Sequence, residues 1–449
     1  MKTKITLLIT CLNLCILLLA YGVEASGKES PKKEKPKAQS DASYSILLIF
    51  SWSHQNIGDI GITPGTLRLL ERYIPEAKVT VIAHSRPEAT REYLKKRFPN
   101  CEVISNYFQA TEISPTFREA LNGADLILYN SGMMLNFGHF NRKWDWTMRF
   151  AIPLVVARAR SIPYGIYGQS FECFEWPSGP FFRILLNDAS FVFCRDTNSL
   201  EYLKNQNITP PILEFGPDGM FAFDIPDEDA ADAFMKRHQL QDRKFITVTI
   251  RSAKQGFLSK KREEDHAAKL RQMMTDYVKQ TGENILICPE VIHEIEPARR
   301  LLLDPLPPDV RDHVRFKDDF WLPDEAYSVY RRAKAVVSME MHSVILSLAA
   351  GTPTLHPRFV DCGRKAWMVR DVGLPEWLFD IDKQPAEDIT AELMAIHNDF
   401  DGALEKVEKA MDFVRKRQKE TMAVVKKTLE KGKKSSPVKK HSSKLTTSL

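Results

Sequence analysis

The chain has 449 residues, 43% of them hydrophobic and 27% charged, a globular composition that excludes wholesale disorder, collagen and a multi-span membrane protein. That length predicts two or three domains with sizeable cores. The formal charge of +5 resides at the ends: residues 1–41 carry +3 and residues 426–449 carry +7, so residues 42–425 carry −5 and make a poor binder of duplex nucleic acid.

Lys2 and Lys4 precede an apolar run from Ile5 to Ala20, and small residues follow to Ala25. Residues 1–25 therefore read as a secretory signal with cleavage after Ala25, which predicts a secreted or periplasmic protein. The competing reading is an uncleaved anchor over residues 5–23. Lys28, Lys32, Lys33, Lys35 and Lys37 beyond it would then hold the catalytic domain on the cytoplasmic side. Residues 26–42 read as a basic linker and residues 426–449 as a basic disordered tail. Outside the leader, Cys101, Cys173, Cys194, Cys288 and Cys362 are odd in number and widely spaced, with no CxxC pair. They predict buried, inert thiols, with neither a disulfide scaffold nor a zinc site.

From Ser45 onward, short apolar runs alternate with helical patterns. Ser45–Phe50, Lys78–Ala83, Glu102–Ile104, Asp125–Tyr129, Tyr164–Tyr167 and Phe191–Cys194 predict strands. Thr66–Tyr73, Pro87–Phe98, Phe117–Leu121, Pro153–Arg160, Phe181–Asn187 and Asn198–Asn205 predict helices between or after them. The alternation pauses over Phe215–Asp227 and restarts. Strands are then predicted at Phe245–Ile250, Asn284–Cys288, Ala335–Ser338 and Thr352–Leu355, and helices at Glu263–Gln280, Glu294–Leu303, Pro323–Ala333 and Ser343–Ala350. This is an α/β pattern with parallel sheets, divided into domains over 43–224 and 225–385. Apolar residues at three-and-four spacing, interrupted near Asn398–Gly402, predict a pair of C-terminal helices over 386–425. A two-domain open-sheet protein binds its ligand in the cleft, outside the carboxyl ends of the strands.

Five polar turns fall at such ends. The first is Asn56-Ile57-Gly58-Asp59 with Gly61 and Gly65, a glycine-bearing turn whose N–H groups can face an anion. It is not the dinucleotide fingerprint. The second is Asn130-Ser131-Gly132, and the third Gly168-Gln169-Ser170. In the fourth, Arg195 directly follows an apolar strand and precedes Asp196. It reads equally as an anion ligand or as half of a structural Arg–Asp pair. In the fifth, Glu340 and His342 stand between a strand ending at Ser338 and a helix starting near Ser343. A histidine there, beside a carboxylate, can donate or accept a proton.

Taken in order over about residues 45–380, these motifs resemble the polysaccharide pyruvyl transferase family. The matching positions are Asn56, Gly58 and Asp59, then Asp125 through Gly132. Gly168, Gln169 and Ser170 follow, then Arg195, Asp196, Ser199 and Leu203. Pro217 and Asp218 come next, and last Ser338, His342, Gly351 and Pro353. The resemblance implies two Rossmann-like domains in a GT-B-like arrangement, with neither cofactor nor metal. It also implies transfer of a pyruvyl group from phosphoenolpyruvate to two hydroxyls of a cell-surface glycan as a ketal. On the match, His342 would be the proton donor or base and Arg195 would hold the anionic groups of the donor. Asn56, Gly58, Asp59, Gly132, Gln169, Ser170, Asp196, Arg251, Glu340 and Ser343 would line the substrate cleft.

The chain departs from that family in two places. Glu340 stands where the family has an arginine, and Asn130-Ser131-Gly132-Met133 replaces a richer glycine cluster. A carboxylate beside an anionic donor is repulsive, which leaves Arg251, Lys254, Arg364 or Lys365 to compensate. Glu340 would suit hydroxyl groups, so a GT-B-like glycosyltransferase with another activated donor is a second expectation. A non-catalytic exported glycan-binding protein is a third.

Overall fold

The computed structural model describes residues 44–51, 53–104, 108–109, 112–138, 143–255 and 258–435. The expected leader (1–25), the linker (26–42) and the end of the expected tail lie outside them.

Two parallel sheets organise the chain. The first runs β1 (Tyr44–Ser51), β2 (Ala77–Ala83), β3 (Glu102–Ile104), β6 (Leu126–Tyr129), β7 (Tyr164–Gln169), β8 (Phe191–Cys194) and β9 (Leu213–Phe215), in the spatial order β3-β2-β1-β6-β7-β8-β9. A small hairpin, β4 (Phe108–Gln109) and β5 (Glu112–Ile113), stands apart from it. Connecting helices are α1 (Ile57–Tyr73), α2 (Pro87–Arg97), α3 (Pro115–Gly123), α4 (Trp144–Ala159), α5 (Ser178–Asn187) and α6 (Thr197–Asn205). β1 is central: Ile46 pairs with Val79 on one side and Leu126 on the other. Its run Ile46–Phe50 is fully buried, as a strand covered on both faces requires.

After α7 (Glu228–His238) the second sheet begins. Its strands are β10 (Phe245–Thr249), β11 (Asn284–Ile287), β12 (Val314–Phe316), β13 (Ala335–Ser338), β14 (Thr354–Arg358) and β15 (Leu378–Asp380), ordered β12-β11-β10-β13-β14-β15. They are linked through α8 (Lys260–Thr281), α9 (Pro323–Arg332), α10 (Met341–Ala349) and several single turns. In each lobe the winding reverses beside the first strand, between β1 and β6 and between β10 and β13. Open α/β sheets bind ligands outside the strand ends at such switch points.

α11 (Ala386–Asn398) and α12 (Phe400–Ser435) close the fold, with the break at Asp399 near the expected interruption. The second helix runs ten residues past the predicted start of the tail. Val425 and Leu429 are fully buried, each worth about 1.5–3 kcal/mol of apolar burial, and Lys426 pairs with Glu76 at 2.9 Å. Apolar spacing outweighs the lysine-rich composition there, so the segment 426–435 is helix rather than disordered tail.

Candidate active site

The turn after β1 is the start of α1. Asn56, in extended conformation, caps the helix by accepting from the Gly58 N–H at 2.7 Å. The same turn is joined to the second lobe through its backbone. Ile57 N–H donates to the Glu290 carbonyl at 3.1 Å, and Ile292 N–H donates to the Gln55 carbonyl at 3.0 Å. Gly58 faces the His342 ring so closely that any Cβ would overlap the imidazole. Glycine is needed here for space, not for an unusual φ.

On the opposite lobe, β13 ends at Ser338, whose Oγ accepts from the Glu340 N–H at 3.0 Å. Glu340 then caps α10. Its two carboxylate oxygens are both engaged: Oε2 lies 2.9 Å from an Arg251 guanidinium nitrogen, and Oε1 lies 3.2 Å from His342 Nδ1. Burial alone would raise the Glu340 pKa. Arg251 first, then Lys365 and His342, hold it well below the usual carboxylate range. An ionised carboxylate can only accept, so His342 Nδ1 carries a proton toward Glu340 and Nε2 is the ring nitrogen left to give or take one. His342 is 7% exposed, and its Nε2 has no hydrogen-bond partner.

Acidic groups crowd this point. Asp59 has a pKa raised by burial and by Glu340, with His342 and Lys365 opposing. Glu290 is wholly buried and accepts from Ser343 Oγ. Burial, then the Glu340 charge, push its pKa well above the ordinary value despite Arg251. Glu294 accepts from Ser252 N–H at 3.1 Å and approaches Arg251 at 3.9 Å. His356, on β14, sits below the cluster with Nδ1 2.7 Å from the Ser338 carbonyl. Burial lowers its pKa to about 4, so it is neutral.

The structure thus brings Asn56, Gly58, Asp59, Arg251, Glu340, His342 and Ser343 to one place. The other expected site residues form a separate interior network. Arg195 is 1% exposed; it donates to Ser170 Oγ at 2.8 Å and pairs with buried Asp218 at 2.7 Å. Asp196 accepts from Ser170 Oγ at 2.7 Å and from Ser199 N–H at 2.7 Å, capping α6. Gln169 donates to the Asn130 carbonyl at 2.5 Å and accepts from Met134 N–H at 3.0 Å. Gly132 and Ser170 exchange backbone bonds with the neighbouring strand end. These groups hold strand ends together, and the Arg195 charge is met by Asp218, so Arg195 is not an open anion ligand. Its partner is Asp218 rather than the adjacent Asp196. Contacts along α1 separate the two groups: Gly58 packs on His342 and Gly65 on Gly219, seven positions and roughly 10 Å of helix apart.

Sequence reasoning missed Glu290 and Glu294. Glu290 follows the apolar run of β11 by three residues, the same position relative to a strand that singled out the other turns. Cys101, Cys194, Cys288 and Cys362 are buried, with thiol pKa values pushed up mainly by burial. Among the described residues no helix is long and apolar enough to cross a membrane.

With this geometry in hand, the family model for polysaccharide pyruvyl transferase matches residues 56–356, two thirds of the chain. A search of curated proteins finds no match. Solved structures match in fold. A glycosyltransferase from Rickettsia africae is 11% identical with a TM-score of 0.56, covering 88% of this chain and 99% of its own. UDP-GlcNAc 2-epimerase from Neisseria meningitidis, bound to UDP-GlcNAc, is 12% identical with a TM-score of 0.54, covering 86% and 100%. The Anabaena protein HepE, in complex with UDP and glucose, is 12% identical with a TM-score of 0.54, covering 87% and 99%. At that identity the likeness establishes the two-lobed GT-B-like fold alone.

Proposed function

The chain belongs to the polysaccharide pyruvyl transferase family, and from that premise we propose that it moves a pyruvyl group from phosphoenolpyruvate onto two hydroxyls of a cell-surface glycan. The observation that carries the reading is the Glu340–His342 pair at the lobe junction, with Nε2 left unpartnered. Protonated at Nε2, His342 gives its proton to the methylene carbon of phosphoenolpyruvate, whose C=C electrons form the new C–H bond. The central carbon becomes cationic, and a glycan hydroxyl adds to it. In this scheme Asp59, whose pKa is raised by burial and whose charge interacts with that of His342, takes the hydroxyl proton. Departure of inorganic phosphate and addition of the second hydroxyl complete the ketal, the second proton leaving with phosphate.

The glutamate at the family's arginine position is consistent with this scheme. Its charge is opposed inside the protein by Arg251, and it holds the His342 ring in place through Nδ1. In the alternative, a Glu340 serving a nucleotide sugar, each carboxylate oxygen would have to accept the sugar hydroxyl through its second lone pair, since both already face protein groups. Because phosphoenolpyruvate is a cytoplasmic metabolite, the proposal pairs with residues 5–23 as an anchor that leaves the catalytic body in the cytoplasm. Protease protection in spheroplasts checks that arrangement.

The test is phosphate release and ketal formation, followed by phosphorus and proton NMR, with phosphoenolpyruvate and a panel of pyruvylatable glycans. Turnover that falls about 100-fold or more in His342→Ala supports the reading. Turnover unaffected by His342→Ala, or a response only to nucleotide sugars, rejects it.

A further inference from the structure

Phosphoenolpyruvate carries a carboxylate and a phosphate, and such groups need a cation that the protein has not already neutralised. Most positive side chains around the site are engaged. Arg251 lies between Glu340 and Glu294. Lys254 reaches Glu296 and the His293 carbonyl. Arg364 donates to the Asn198 carbonyl at 3.0 Å and lies over the Tyr202 ring. Arg195 is buried against Asp218.

Lys365 differs from these. Its side chain is half-buried and, among the described residues, has neither a hydrogen bond nor an ion pair. It rides the turn Arg364–Trp367 after β14, on the second lobe. That turn is fixed across the cleft, because Arg364 N–H donates to the Glu172 carboxylate and the Arg364 side chain reaches Asn198, both on the first lobe. From there the Lys365 charge acts on Asp59 of one lobe and on Glu340 and His356 of the other. Because β14 runs parallel to β13, the turn that carries Lys365 leaves the same end of the sheet as Ser338, Glu340 and His342, with the donor capacity of its side chain unused.

We infer that Lys365 anchors the anionic end of the donor, its ammonium gripping a carboxylate or phosphate oxygen beside His342. This assignment rests on the anionic-donor reading above and adds the residue that would make it feasible despite Glu340. The loop after β14 then carries the anchor while clasping the opposite lobe.

The experiment is calorimetric titration of the whole protein with phosphoenolpyruvate, inorganic pyrophosphate and UDP, in wild type, Lys365→Met and Lys365→Arg. A charge-assisted contact predicts that Lys365→Met weakens phosphoenolpyruvate binding about 10–100-fold, with partial recovery in Lys365→Arg. Thermal melting should stay close to wild type, since a half-exposed unpaired lysine supports little of the fold. If pyrophosphate or UDP binds in a Lys365-dependent way and phosphoenolpyruvate does not, the anchor stands and the pyruvyl reading falls. Equal phosphoenolpyruvate affinity in wild type and Lys365→Met overturns the anchor and leaves the reaction untouched. Absence of binding by all three anions to wild type also overturns it.

Discussion

The carboxylate of Glu340 lies 3.2 Å from Nδ1 of His342, its near neighbour in sequence, and caps the helix that carries the ring. That contact fixes the tautomer of a histidine with no hydrogen-bond partner on its other nitrogen. Arg251 supplies the opposing charge at 2.9 Å, so the three groups are one electrostatic unit.

Replacing Glu340 by Gln should therefore act twice. Arg251 loses its main counter-charge in a buried place, which should lower stability by about 3 kcal/mol in urea unfolding. The tautomer is no longer enforced, and kcat should drop about 100-fold or more with a smaller change in KM for the donor. A variant as active as wild type would remove the pair from the mechanism.

Gly58→Ala tests the packing of the ring. The added methyl overlaps the imidazole, so either His342 turns away or α1 moves. Overpacking of this kind costs about 1–3 kcal/mol. Turnover should fall by much more than the melting temperature suggests. Stopped-assay rates and calorimetric melting, measured on the same preparation, separate the two effects.

Arg195→Ala should behave as a structural lesion. It leaves Asp218 buried and uncompensated, a loss of about 3–5 kcal/mol. KM for the donor in the protein that remains folded should be unchanged. A stable variant with a greatly raised KM would return Arg195 to the substrate site.

Acid stability depends in part on Asp382, just after β15. It receives Arg262 at 2.8 and 3.1 Å and His266 Nε2 at 2.7 Å. Burial alone would raise its pKa. Arg262, then His266 and the Val360 N–H, lower it from 3.8 to about 2. A depressed folded-state value gives stability that is present above the unfolded pKa and lost as pH falls through the folded one. Asp382→Asn should thus be less stable by roughly 1–2 kcal/mol at neutral pH, after allowance for its partial exposure. The gap between the two proteins should close between pH 4 and pH 2, which urea titrations at stepped pH would reveal.

Much of the architecture is readable from apolar runs, because strands covered on both faces must be apolar throughout. The three-residue edge strands β9, β12 and β15 are not among the predicted strands, although β3, equally short and also at an edge, is. The sequence pattern starts the first helix at Thr66, whereas α1 starts at Ile57. Gly58, Gly61 and Gly65 read as turn residues, yet they are contact points for His342, Met220 and Gly219. Tertiary packing outweighs local propensity there. In the site, Glu340 and His342 are legible from their place after a strand. The role of Arg195 is not, since its partner Asp218 lies 23 positions away in sequence and meets it only in the folded chain.

The chain passes between its lobes twice, after β9 and again along α12, and the two passages lie side by side. Arg417 on α12 donates to the Phe215 carbonyl at 2.6 Å, just as β9 ends. Thr421 meets Tyr167 and Lys426 meets Glu76 farther along the same helix. Adjacent passages form a single seam along which the lobes are covalently joined. Elsewhere the lobes are joined by the backbone contact of Gln55 and Ile57 with Glu290 and Ile292, by the Thr197–Asp371 bonds, by Arg364 on Glu172 and Asn198, and by the buried Arg97–Asp324 pair. Any parting of the lobes therefore breaks these bonds while both covalent passages stay in place.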